Sequence, residues 1–157
     1  MIPKIRVMIT NLNEKECVHL LADNYIGQLA YIYKGRPFIV PITYYFDKKS
    51  SIVGYSDEGH KTRAMRENNK VSLQVSEIKN VDHWNSVLAH GVYEEVSGSE
   101  AKKYLHEFTS GIRDLTSRKE NRNLRSISEF SSKIDTNNLP VIFKITVDEI
   151  TGKRRIV

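Results

Sequence analysis

The sequence predicts a mainly β fold: a small antiparallel β-barrel of six or more strands with peripheral helices. Three observations predict it. Apolar residues recur at every second position through Val71, Leu73 and Val75, and again through Val141, Phe143, Ile145 and Val147. Further short runs are rich in Ile, Val, Leu and Tyr, the composition of strands. Short turns bearing Gly, Pro, Asp or Ser separate these runs, and helical periodicity is confined to a few stretches between them.

Composition bounds the rest. A chain of 157 residues suits one domain, 1–157. A chain of this size buries roughly 70% of its unfolded surface, so it needs no disulfide or structural metal. The single cysteine, Cys17, excludes an internal disulfide framework and a multi-cysteine zinc site. No histidine pairs with another histidine or with the cysteine at a metal-binding spacing, so no metal site is expected. No apolar run approaches the ~20 residues of a membrane span. The start, Met1 to Arg6, lacks the apolar core of a signal peptide, so the expected compartment is the cytoplasm. The formal net charge of +5 suits nucleic acid, an anionic cofactor or mere solubility, and only its placement decides.

Asn13 and Glu16 form a capping-box pattern, and Cys17, Leu20, Leu21 and Tyr25 share the apolar face of the helix behind it. Gln28 to Lys34 reads as a strand, Lys34 to Pro37 as a turn, and Phe38 to Phe46 as the next strand. Pro41 cannot donate to a ladder, so that strand has an edge, a bulge or a ligand beside it. Ser51 to Ser56 is a third strand, and the three together predict a meander. His60 to Glu67 reads as a short helix, and Val71 to Val75 as a fourth strand. Trp84 to Val96 is a longer strand whose Gly91 marks a bulge or a close backbone approach. A second capping box, Ser97 with Glu100, opens a helix through Ala101, Tyr104, Leu105, Phe108 and Ile112. The polar stretch 113–138 reads as a long loop or partly helical insertion, Val141 to Ile150 as the last strand, and Thr151 to Arg155 as a basic tail.

Three segments offer chemistry. Ser56-Asp57-Glu58-Gly59-His60-Lys61 runs from a strand end through a glycine into a helix. Helix starts present free N–H groups and a positive dipole end, so Ser56, Lys61, Arg63 and Arg66 make a candidate phosphate cradle. The same residues suit a plain turn with a solvated basic face, and the spacing leaves both readings open. Around Pro41, freed backbone groups with Thr43 and the neighbouring tyrosines suit a planar heterocycle, or a bulged core strand. At Trp84 to Gly91 an aromatic, an amide and a hydroxyl cluster at a strand start, as in a ligand stacker or a core anchor.

In this order, the segments resemble the pyridoxamine 5′-phosphate oxidase-like, FMN-binding split-barrel superfamily, and within it the nitroimidazole reductase-like branch associated with nitroimidazole resistance. The resemblance rests on Ile26 to Tyr31, Gly35-x-Pro37, Val40 to Tyr44, Ile52 to Ser56, Gly59-His60-Lys61, Met65-Arg66-x-Asn68-x-x-Val71, Trp84-x-Ser86-Val87 with Gly91, and Ile150-Thr151-Gly152. It implies a homodimer with flavin at the subunit interface. Pro41, Ile42, Thr43 and Tyr44 would flank the isoalloxazine, Tyr55, Ser56 and Lys61 would hold the phosphate end, and Trp84, Asn85, Ser86 and Val87 would approach from the partner. The implied cofactor is FMN, with FAD as the variant, and NAD(P)H as electron donor to a small acceptor such as a nitroaromatic, for instance a 5-nitroimidazole.

Two departures stand out. Tyr55 occupies a position where the branch usually carries histidine, and the basic tail does not match the C-terminal arginine motif of the authentic oxidases. No catalytic side chain is assigned, although His60, His83 and His90 lie near the segments. The rival readings are a non-catalytic flavin- or nucleotide-binding module and a haem-binding split barrel. A nucleic-acid partner is not expected, because the basic stretch from Arg113 to Lys133 carries only Phe130 as an aromatic.

Overall fold

A computed structural model describes residues 8–120 and 140–157. Eight strands and three helices make up these residues. They are β1 (Met8–Asn11), α1 (Glu14–Ala22), β2 (Ile26–Tyr33), β3 (Arg36–Thr43), β4 (Tyr45–Phe46), β5 (Ser51–Ser56), α2 (His60–Glu67), β6 (Lys70–Asn80), β7 (His83–Val96), α3 (Gly98–Glu120) and β8 (Val141–Ile156). Every pairing is antiparallel, in the order β3-β2-β6-β7-β8-β5-β4, with β1 beside β8.

The expected meander is corrected here. β3 pairs with β2, but β5 pairs with β4 and β8 instead of β3. The run Phe38 to Phe46 is two strands, one at each end of the sheet order, joined through Tyr44. One chain segment thus links the two edges, and the sheet curls towards a barrel without closing. Tyr44 is fully buried at this junction; its N–H donates to Tyr25 O (2.9 Å) and its hydroxyl to Leu21 O (2.6 Å).

The interior holds the alternating residues read from the sequence. Leu29 and Tyr31 of β2, Val71, Leu73 and Val75 of β6, and Val87 and Ala89 of β7 pack with Phe143 and Ile145 of β8. Helix α1 closes one end through Cys17, Leu20 and Leu21. Its capping box is formed: Asn13 N donates to Glu16 Oε1 (3.1 Å) and Glu16 N to Asn13 Oδ1 (2.8 Å). A second cluster seats Ala101, Leu105, Phe108 and Ile112 of α3 on Val53 and Ile142.

Three boundaries shift: β6 runs to Asn80, where a strand from Val71 to Val75 is expected. α3 runs beyond Ile112 to Glu120, because Leu115 and Thr116 continue its buried face three and four positions on. Residues 121–139 of the expected loop lie outside the described residues. The basic tail is a strand: β8 continues to Ile156, flanked by β7 and β1. A β-bulge falls between His90 and Gly91, and a Cβ on Gly91 would stand 2.4 Å from Thr146 O, so the backbones need glycine there. Among the described residues no helix is long and apolar enough to cross a membrane.

Candidate functional site

A cleft of about 330 Å³ opens where β3, the end of β5 and the start of α2 meet. It is lined by Pro41, Ile42, Thr43, Tyr55, Ser56, Asp57 and Lys61. Each wall has a local cause. β3 ends the sheet order and is laddered only to β2, so its other edge keeps unspent backbone groups. Pro41 interrupts that edge with a missing donor.

The far wall is the β5-to-α2 turn. The Ser56 hydroxyl donates to Asp57 O (2.8 Å), and a rotation about its C–O bond would turn that proton towards a ligand. The helix entry is tied by Thr62, whose Oγ1 accepts from Gly59 N–H and donates to Gly59 O, both at 3.0 Å. The first N–H groups of α2 are left without intrahelical partners, with the positive dipole end behind them. Lys61, half-buried, adds a full charge and makes no ion pair among the described residues.

The other two cations of the expected cradle are elsewhere. Arg66 grips Glu58 through both terminal nitrogens and Glu95 through Nε (2.7 Å), which raises its own pKa. Arg63 is exposed and does not line the cleft. Tyr55 is half-buried with its ring edge-on to Phe108 of α3, centroids 5.2 Å apart. Burial, and then the charge of Asp57, pushes its phenol pKa up, so it stays protonated.

His60 was read only as lying near the site, and its position is informative. Its Nδ1 is 3.0 Å from the Tyr31 hydroxyl, and its ring lies 4.8 Å from both Tyr33 and Phe38. This aromatic clamp fastens the first turn of α2 to β2 and β3. Asp57 in the cleft wall was not singled out either; its place between Ser56 and Lys61 was the available signal.

The structure brings Pro41, Ile42, Thr43, Tyr55, Ser56 and Lys61 together. Tyr44 and Val87 are fully buried in the core. Trp84, Asn85 and Ser86 lie on β7, away from this cleft. Trp84 and Ser86 pair with Ile78 and Ser76 on the outer face, whereas Asn85 accepts a hydrogen bond from Arg154 Nε (3.2 Å) beside α1.

The family model of pyridoxamine 5′-phosphate oxidase matches residues 13–154. The chain belongs to this family. An uncharacterized protein of Rhizobium meliloti (strain 1021) is 29% identical over 150 residues, 95% of this chain and 94% of its own. Among solved structures, an FAD-binding protein from Mesorhizobium loti superposes with a TM-score of 0.74 at 25% identity, covering 97% of this chain and 100% of that one. A candidate 5-nitroimidazole antibiotic resistance protein from Bacteroides thetaiotaomicron superposes with a TM-score of 0.71 at 15% identity, covering 96% and 90%. The resemblance read from the sequence therefore holds for family and fold, and the open antiparallel sheet is that of the split barrel.

Proposed function

We propose that this chain is a homodimeric flavoprotein that passes electrons from a reduced nicotinamide to a small acceptor, a nitroaromatic such as a 5-nitroimidazole being the candidate. The observation that carries the reading is the cleft itself. It joins an unladdered strand edge at Pro41 to Thr43 with a hydroxyl, an ammonium that has no ion pair among the described residues, and a helix start. These are the parts a planar ring with a phosphate tail requires, so the residues present fit FMN or the FMN half of FAD. The FAD-binding Mesorhizobium loti relative supports the same cofactor class.

Bound flavin supplies the two-electron redox centre that side chains lack. The chain supplies placement. Lys61 gives the phosphate a charge-assisted hydrogen bond, and the first N–H groups of α2 add the dipole end. Ser56 turns its hydroxyl to the same group. Lys61 is the one cation among the residues lining the cleft and offsets the repulsion between Asp57 and a phosphate. Ile26, Ile32 and Ile39, exposed on the outer face of β2 and β3, give a second copy an apolar surface that keeps water off the ring. The buried, unpaired Cys17 suits the reducing cytoplasm.

Lys61→Ala tests the site. FMN affinity should fall about 10-fold or more while riboflavin affinity changes little, because only FMN carries the phosphate. Equal loss for both ligands would place the phosphate elsewhere. Anaerobic mixing of the flavin-loaded protein with NADH or NADPH tests the activity: bleaching of the flavin band supports an oxidoreductase, and an unchanged band supports a binding module.

A further inference from the structure

The charges around the phosphate end of the cleft nearly cancel. Of the lining residues only Asp57 and Lys61 carry full charges, and these are of opposite sign. Tyr55 stays neutral, because burial pushes its phenol pKa up. The start of α2 adds about half a positive charge. No other cation reinforces Lys61 there. Arg66 is bound to Glu58 and Glu95, and Arg63 does not line the cleft. The Asp57 carboxylate is exposed and has no ion pair among the described residues, so no neighbour neutralises it.

This balance discriminates between two kinds of phosphate. The terminal monoester of FMN carries about 1.5 to 2 negative charges at neutral pH. The corresponding phosphate of FAD lies inside a pyrophosphate, esterified on both sides, and carries a single charge. Repulsion by Asp57 scales with ligand charge, so it is about twice as strong against FMN. The pyrophosphate also has a second phosphate to place. Arg63 follows Lys61 by two positions on α2, is exposed, and makes no ion pair among the described residues. Resting on the flavin reading above, we propose that Asp57 is a specificity-determining residue. It selects a cofactor whose cleft-bound phosphate is singly charged, FAD over FMN, and Arg63 receives the second phosphate.

The test is calorimetric titration of the full-length, flavin-free protein with FAD, FMN and riboflavin at about pH 7.5, where the FMN phosphate is a dianion. FAD is expected to bind the wild type about 10-fold more tightly than FMN. Asp57→Asn is expected to tighten FMN about 10-fold and FAD only about 3-fold, and to leave riboflavin unchanged, because the relieved repulsion follows the phosphate charge. Arg63→Ala is expected to weaken FAD about 5-fold and leave FMN as it was. FMN binding as tightly as FAD in the wild type would overturn the proposal, and that comparison needs no variant to fold. Asp57→Asn shifting both nucleotides alike, or Arg63→Ala weakening both alike, would overturn it too. These outcomes leave the flavin reading standing, whereas a protein that binds none of the three flavins would overturn both.

Discussion

Tyr44 shows how one side chain can serve the fold where the family pattern suggests the ligand. The resemblance sets it beside the flavin ring, yet its phenol is fully buried and donates to Leu21 O at 2.6 Å. Burial pushes its pKa far up, so it is a neutral donor throughout the working range. Tyr44→Phe leaves the Leu21 carbonyl unsatisfied and should cost about 1–2 kcal/mol in urea unfolding, with flavin affinity unchanged. A drop in flavin affinity without a loss of stability would return Tyr44 to the ligand. Gly91 carries the opposite lesson. A lone glycine in an apolar strand pattern signals a bulge, and the bulge is there because a Cβ would meet Thr146 O. Gly91→Ala should therefore destabilise by about 1–3 kcal/mol, measured the same way. Such residues are legible when a backbone rule singles them out. Tyr44 was not, because Tyr44-Tyr45 continues a β-rich run and nothing local marks the crossing between sheet edges.

At the scale of elements, α2 is the piece that makes the site. Its eight residues are too few to be stable alone, so tertiary ties must hold it. His60 is clamped by Tyr31, Tyr33 and Phe38 at the start, and Arg66 bridges Glu58 and Glu95 at the end. The hydrogen bond from Arg66 holds the Glu58 carboxyl below its ordinary 4.5. A carboxyl with a depressed folded pKa contributes stability in full above its unfolded value and loses it as pH falls through the folded one. Wild type should thus exceed Glu58→Gln in urea midpoint at about pH 6, and the gap should shrink as pH falls through the lowered folded pKa. A gap that persists in acid would show that the ion pair is not its source. The sequence showed α2 and its basic residues, but not which cation the acids would claim, because Glu95 joins from a strand 29 positions away. For α3 the apolar face through Ile112 was plain, and the polar residues between Leu115 and Glu120 hid its continuation.

For the whole molecule, alternation in the strands was enough to predict an antiparallel β fold, because a half-buried strand needs a period of two wherever it pairs. Which strands pair depends on contacts between distant segments, and the expected meander failed there: β5 meets β8, some ninety positions later. The positive charge also takes a new meaning. Arg66, Arg154 and Arg155 are matched by Glu58 and Glu95, Glu16 and Asp82. Lys61, in the cleft, makes no ion pair among the described residues. Ile39 is 66% exposed on the outer face, and a second copy is the proposed cover. Ile39→Lys should shift the protein towards monomer in size-exclusion chromatography with light scattering and weaken flavin binding with it. A wild-type monomer that still binds flavin tightly would remove the dimer from the account. The central claim, that this chain is a flavoprotein, is tested most directly by the absorption spectrum of the purified protein titrated with FMN. The account predicts a saturable one-per-chain shift in the visible flavin band with quenched fluorescence. A spectrum that remains the sum of free FMN and colourless protein at micromolar concentrations would contradict it.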